Sequence, residues 1–138
     1  MKKGEHSVKD LLCDDFQELA KEYLVRYRSI MDILSKHQEA NARVHRGIAK
    51  AVTNCGCISI QAEKPQIPEG IVLAELREHM SSHVLGHVCD TCRDVLEAEI
   101  GSTLFYLTAL CNALDLSMYD ILIKEHQRLT SLGLFNFT

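Results

Sequence analysis

Two close pairs of cysteines are the residues best suited to chemistry. Cys55 and Cys57 are separated by one residue, and after 31 intervening residues Cys89 and Cys92 are separated by two. A tetrahedral metal ion needs four soft donors within bonding distance, and two short pairs on separate segments are a common way to supply them. The spacing therefore predicts that these four cysteines hold a zinc ion or an iron–sulfur cluster.

The first pair sets a condition on the local fold. It falls in a predicted helix over about 40–62, whose apolar residues recur at spacings of three and four. On an intact helix, residues two apart point about 200° apart around the axis. Cys55 and Cys57 can share a metal only if the helix breaks at Gly56, the residue type that best tolerates such a break. The alternative is that Cys55 is a small core residue and only the other three cysteines meet.

Three histidines lead into the second pair. His79, His83 and His87 recur at intervals of four, so a mixed Cys/His site is an alternative, although a solvated histidine face beside a turn is the favoured interpretation. A thiol redox role for Cys89 and Cys92 is the weakest alternative, because no β-α-β pattern accompanies them. The two remaining cysteines, Cys13 and Cys111, lie on or beside apolar stripes and are predicted core thiols.

The elements that position these residues are predicted to be helices. Both prolines lie in one connector over about 63–70, and the proline-free stretches on either side favour long helices. We expect a single all-α domain over 1–138, a bundle of about five helices. The predicted helices cover about 8–37 (with a weak Ser7/Asp10 cap), about 40–62, about 71–82, a long segment through Leu96 and Leu114, and a last helix that Ser117 and Asp120 cap and that ends near Gly133.

Composition narrows the class of protein. The chain has 46% hydrophobic residues, as an ordinary globular domain has, and its net charge of −4 argues against DNA, RNA or anionic membranes as partners. No apolar run approaches the roughly 18 residues of a membrane span, and the N-terminus lacks a secretory signal. We therefore expect a cytoplasmic location, where reduced thiols favour metal binding over disulfides.

A longer segment carries a family resemblance. The run from Glu99 to Leu122, Glu-Ile-Gly-Ser-Thr-Leu-Phe-Tyr-Leu-Thr-Ala-Leu-Cys-Asn-Ala-Leu-Asp-Leu-Ser-Met-Tyr-Asp-Ile-Leu, resembles the C-terminal half of the MazG-like, all-α nucleoside-triphosphate pyrophosphohydrolases. The similarity extends from about Glu97 to Arg128, and more loosely from about Val44 onward. It implies a MazG-like fold and a nucleotide as ligand, which Lys124 and Arg128 on the last helix would contact at its phosphates.

The same resemblance implies a Mg²⁺ site, and here the chain departs from the family. The family holds Mg²⁺ with an E-x-x-E motif and an E-x-x-D motif on two helices. Glu99 matches the first residue of the second motif, but Ser102 stands at its partner position. The best register for the first motif falls on Asn54 and Cys57, so both of its acids are missing.

Two functions follow from these departures. The first is a MazG-like helical protein that has lost most of its catalytic carboxylates and carries a cysteine-rich metal site, with a structural, sensory or nucleotide-binding role. The alternative is an active, Mg²⁺-dependent pyrophosphohydrolase with a rearranged acidic site, in which Glu97 and Glu99 act and Glu63 is a further candidate. Apolar residues outside the main stripe of the first helix, such as Leu11, Leu24 and Ile33, also predict a homodimer or a larger homo-oligomer.

Overall fold

The computed structural model describes residues 8–133, and most of them are helical. The order of elements is α1 (Val8–Tyr23), α2 (Ile30–Lys50), a π turn (Ala51–Cys55), β1 (Ile58–Ile60), α3 (Leu73–Leu76) followed by a 3-10 turn (Arg77–His79), β2 (Val84–Gly86), α4 (Asp90–Ala113) and α5 (Met118–Leu132). Five helices and an all-α character agree with the expectation from sequence, and the small two-stranded sheet is an addition to it. The weak Ser7/Asp10 cap involves a residue outside the described range.

The predicted helix over about 8–37 is wrong, because the chain forms two helices there. α1 ends at Tyr23, and α2 begins at Ile30 after Ser29, whose extended backbone (ψ 138°) precedes the first turn. The apolar spacing continues through the turn, so periodicity alone could not reveal the break. The break lets α1 and α2 pack separately, and both contact α4.

The predicted helix over about 40–62 is also wrong in its bounds. The helix that crosses this region begins at Ile30, and its last turn widens to a π turn that ends at Cys55. Gly56 then takes a left-handed conformation (φ 76°), which glycine adopts without steric cost. The chain continues as β1, so the condition for bringing Cys55 and Cys57 together is met.

The second half of the chain follows its sequence signals more closely. The predicted helix over about 71–82 is shorter, since helical turns cover only 73–79. β2 pairs antiparallel with β1, with Ile58 opposite Gly86 and Ile60 opposite Val84. The predicted last helix is confirmed at its start, because the Ser117 hydroxyl accepts a hydrogen bond from the Asp120 backbone N–H at 3.1 Å.

The central packing contact joins α2 and α4, which run antiparallel. Gly47 on α2 faces Leu96 near the start of α4, where a Cβ would meet the leucine side chain at 3.0 Å. Toward the other end, Ile33 and Ala109 are both buried. Close approach of the two helices is favoured by small residues, and it places the end of α2 beside the beginning of α4.

Much of the remaining apolar surface of the helices is exposed. The apolar residues that recur at spacings of three and four along α1 form a stripe, and such spacing predicts a buried face. In this α1 stripe, however, Leu12 is 69% exposed and Leu19 is 42% exposed. Only Cys111 of the two predicted core thiols is buried, whereas Cys13 is half-buried. Within residues 8–133, no helix combines the length and apolarity that crossing a membrane requires.

Candidate metal centre

The four cysteines lie close together because two turns of the chain, one after α2 and one before α4, meet. Cys55 ends the π turn after α2, and Cys57 follows the left-handed Gly56. Cys89 is the residue that precedes α4, and Cys92 lies in the first turn of that helix. Because α2 and α4 are antiparallel neighbours, the end of one helix meets the beginning of the other, and each contributes one pair.

The sulfur atoms are close enough to share one metal ion. All four Sγ atoms lie within 4.8 Å of one another, and those of Cys55 and Cys89 are 3.8 Å apart. A tetrahedral ion with Zn–S bonds of about 2.3 Å holds its sulfurs about 3.8 Å apart. The observed spacing is therefore close to that of a tetrahedral thiolate site, and only small shifts separate the two.

The cluster lies at the surface. Cys55 is exposed, while Cys57, Cys89 and Cys92 are half-buried. Cys55 and Cys92 line a cavity of about 380 Å³ that opens between α2 and α4. Lys50 and Asn54 also line this cavity, so a cationic side chain lies beside the cysteines.

Hydrogen bonds within the cluster shift the pKa values of its thiols in opposite directions. The pKa of Cys89 is lowered to about 7, because the Cys92 backbone N–H donates to its sulfur and the side chains of Cys92 and Cys55 add to this effect. The pKa of Cys92 is raised to about 12, chiefly because its thiol donates to Cys89. The Cys57 backbone N–H lowers the pKa of Cys55, but bonds to the Cys89 and Cys57 side chains outweigh it, so the net shift is upward. A metal ion that binds here displaces the protons that the thiols retain.

A glycine in β2 supports the loop that carries Cys57. A Cβ at Gly86 would lie 2.6 Å from the Cys57 carbonyl oxygen, and the backbone there is left-handed (φ 84°). The sequence by itself indicates only that a helix should not continue through Gly86. The antiparallel pairing of β1 and β2 gives it this additional role, because it brings the two backbones together.

The histidines do not join the cysteines in a common ligand group. His79 and His83 line a separate cavity of about 300 Å³ beside the connector. The Nδ1 atom of His83 lies 3.1 Å from the Gln61 carbonyl oxygen and 3.3 Å from the Glu63 backbone nitrogen. His83 thus links β2 to the start of the connector, and the mixed Cys/His alternative finds no support in the described residues.

Glu99, the proposed catalytic residue, is already bound to a cation. Arg43 on α2 donates from Nε to Glu99 Oε2 at 2.9 Å and from a terminal nitrogen to the Ser102 hydroxyl at 3.2 Å. Arg43 also pairs with Glu39 at 2.8 Å. The residue of α2 opposite Glu99 is therefore Arg43. Asn54 and Cys57, where the best register puts the first motif, lie beside the start of α4. Sequence reasoning missed Arg43, because only the packing of α2 on α4 pairs it with Glu99.

The remaining candidate residues lie apart from the cluster. Glu97 is exposed and lines a groove between the hairpin and α4. Lys124 is exposed on α5, where the neighbouring Arg128 pairs with Glu125 through Nε at 3.0 Å. Among the described residues, Glu63, Glu97 and Glu99 form no group that could hold a metal ion.

Comparison with models of protein families, with curated proteins and with solved structures gives no match for this chain. The functional information therefore comes from the site itself. Its geometry shows four cysteine sulfurs that could hold a metal ion, gathered where α2 ends and α4 begins.

Proposed function

We propose that this chain is a zinc-binding helical protein with MazG-like ancestry, which has lost most of its catalytic carboxylates and carries a cysteine-rich metal site. The observation that carries the proposal is the gathering of four Sγ atoms within 4.8 Å, from two segments more than thirty residues apart. Four sulfur donors select zinc or iron over Mg²⁺, which prefers oxygen.

The compactness of the cluster favours one metal ion over an iron–sulfur cluster. Inorganic iron and sulfide atoms would have to fit between the cysteine sulfurs and would hold some of them farther apart. In this chain even the most distant pair of sulfurs is within 4.8 Å. Zinc with four thiolates carries a net charge of −2, and Lys50 beside the cavity is placed to offset part of it.

The site closes the segment that contains the connector and the hairpin. Cys55 and Cys57 stand before this segment, and Cys89 and Cys92 stand after it. Structural zinc sites supply about 10–16 kcal/mol of apparent binding energy near neutral pH. We therefore assign the centre a structural role, in which the metal holds the end of α2 to the start of α4.

Metal analysis of protein purified without added metal tests the proposal. We expect one zinc per chain in the wild type and in Cys13→Ser, the control that alters a thiol outside the cluster. Cys89→Ser should lose the zinc and melt at a lower temperature. Metal-free wild-type protein whose stability is unaffected by Cys89→Ser would contradict the proposal, and iron with inorganic sulfide would correct the identity of the metal.

The acidic residues do not fit a Mg²⁺ site. Glu99 bonds Arg43, its motif partner is Ser102, and a guanidinium already neutralises the one carboxylate that matches the family pattern. We therefore expect slow or absent Mg²⁺-dependent pyrophosphate release from common nucleoside triphosphates. Robust turnover that Glu99→Gln abolishes would support the active pyrophosphohydrolase instead, whereas turnover that survives this change would come from a contaminant or another site.

The extent of exposed surface supports self-association. The chain exposes 11171 Å² at a mass of 15.6 kDa, whereas a folded monomer of this mass exposes about 7,200 Å². Obligate homodimers bury roughly 1,000–2,500 Å² per partner. A second copy packed on the exposed helix faces would account for part of the difference.

Light scattering at micromolar concentration tests the homo-oligomer. We expect a dimer or larger for the wild type, and a shift toward monomer for Leu12→Lys, which places a charge on the exposed α1 stripe. Ile67→Lys is the matched control, because Ile67 is an exposed apolar residue of the connector and lies on no helix. A monomeric wild type would contradict this part of the proposal.

A further inference from the structure

The four cysteines differ in their access to solvent. Cys55 is exposed, and it lines the open cavity of about 380 Å³ together with Cys92. The Sγ atom of Cys55 lies 3.8 Å from the Sγ atom of Cys89, which belongs to the other pair of cysteines. Small oxidants can therefore reach one thiolate of the centre directly, and a second thiolate on another segment lies within reach of it.

We propose that this centre is an oxidation-responsive metal site, in which hydrogen peroxide joins Cys55 to Cys89 by a disulfide and the metal is released. The inference rests on the metal-binding function proposed above and adds regulation to it. The basis of the inference is geometric. Cys55 is accessible to solvent, the sulfur of Cys89 lies close to it, and the two residues belong to separate turns of the chain.

The chemistry balances in two steps with peroxide as the oxidant. The Cys55 thiolate attacks one peroxide oxygen, the O–O bond breaks, and sulfenic acid and hydroxide form. The Cys89 thiolate then attacks the Cys55 sulfur, the S–O bond breaks, and a second hydroxide leaves as the S–S bond forms. The two sulfurs together lose two electrons, peroxide gains them, and two protons convert the hydroxides to water.

The local backbone can accommodate the bond. A disulfide requires an S–S distance of about 2.05 Å, so the two sulfurs must approach by a little under 2 Å from their present 3.8 Å. Gly56, next to Cys55, has open space around it and a left-handed backbone, so no neighbouring side chain blocks a small shift of this turn. By contrast, β2 approaches the Cys57 carbonyl so closely that a Cβ on Gly86 would lie 2.6 Å from its oxygen, which leaves little room for Cys57 to shift.

Release of the metal follows from the loss of ligands. After oxidation only Cys57 and Cys92 remain as thiolates, and two thiolates bind zinc far more weakly than four. The disulfide still ties the end of α2 to the start of α4, so the helices keep their connection. A thiol reductant should therefore restore the four ligands and allow the metal to rebind.

The experiment uses the full chain loaded with zinc and titrated with hydrogen peroxide. A chromogenic chelator reports free zinc, and mass spectrometry of alkylated peptides locates disulfides. We expect release of one zinc per chain, a Cys55–Cys89 disulfide as the main product, and recovery of binding after dithiothreitol and zinc. Cys13→Ser should behave like the wild type, while Cys55→Ser should release zinc at least about tenfold more slowly, since the most accessible thiolate is absent.

The outcomes separate this inference from the proposed function. If the untreated protein holds no metal, the metal-binding proposal fails and this inference fails with it. If zinc is bound but peroxide leaves it in place, or releases it through a disulfide that excludes Cys55, only the present inference is overturned. The disulfide map of the wild type decides the question even if Cys55→Ser binds zinc too weakly to compare.

Discussion

Gly86 and Cys57 are in backbone contact across the small sheet: a Cβ built on Gly86 would lie 2.6 Å from the Cys57 carbonyl oxygen. The contact joins β2 to the loop that carries one candidate ligand. A side chain at position 86 would therefore push against the loop that holds Cys57, so the position of Cys57 depends on how closely β2 approaches it.

The first prediction concerns this contact. Gly86→Ala should destabilise the fold and weaken metal binding, because the new methyl group would collide with backbone and because φ is 84°. The left-handed conformation alone costs a non-glycine residue about 1–2 kcal/mol. Chemical denaturation and a zinc competition assay measure the two effects.

Gly70→Ala is the matched control for the first prediction. Gly70 has a similar backbone (φ 79°) but open space around it, so it shares the strain and lacks the collision. We expect Gly70→Ala to leave zinc affinity unchanged. Equal effects of the two substitutions on zinc affinity would show that the Cys57 contact plays no part in the site.

The second prediction concerns removal of the metal. A chelator should lower the melting temperature and increase amide hydrogen exchange between Cys57 and Cys89, because the ion closes this segment. Exchange in α1 should change least, since that helix contributes no ligand. The same chelator should have no effect on Cys89→Ser, and an unchanged exchange profile in the wild type would argue against a structural role.

The third prediction concerns the ion pair between α2 and α4. Arg43→Ala and Glu99→Gln should show a coupling of about 0.2–1 kcal/mol in a double-mutant cycle, because the pair is partly exposed and solvent screens it. Denaturant unfolding of the two single variants and the double variant measures the coupling. Glu99→Gln should keep its full zinc content, and loss of zinc in this variant would place Glu99 in the metal site.

The fourth prediction concerns a polar clamp between α1 and the turn after α4. Gln17 donates to Asn112 Oδ1 at 2.9 Å and to the Leu116 carbonyl at 2.7 Å, and it accepts from the Met118 backbone N–H at 2.9 Å. Gln17→Ala should reduce the free energy of unfolding by about 1–3 kcal/mol, because it leaves partly buried groups without partners. Gln38→Ala, at an exposed position of α2, should change it little. A similar loss in both variants would rule out the clamp.

The helical character of this protein was readable from its sequence. Local signals decide it: the confinement of both prolines to one connector, the apolar periodicity and the Ser117 cap. Such signals act within a few residues, and for that reason α4, α5 and the break at Gly56 were recoverable. The same local signals failed between Tyr23 and Ile30, because apolar spacing there continues through a turn that the packing of two separate helices on α4 requires.

The spacing of the cysteines likewise predicted the four candidate ligands. Two short pairs of soft donors indicate a metal site from the sequence alone. Whether they meet was decided only by tertiary structure. The antiparallel packing of α2 on α4 brings one pair to the other, and pairing of β1 with β2 sets Cys57 against Gly86. The same packing places Glu99 beside Arg43, which is 56 residues away in the sequence. No local pattern identifies this partner, because contacts between distant segments depend on how the helices assemble.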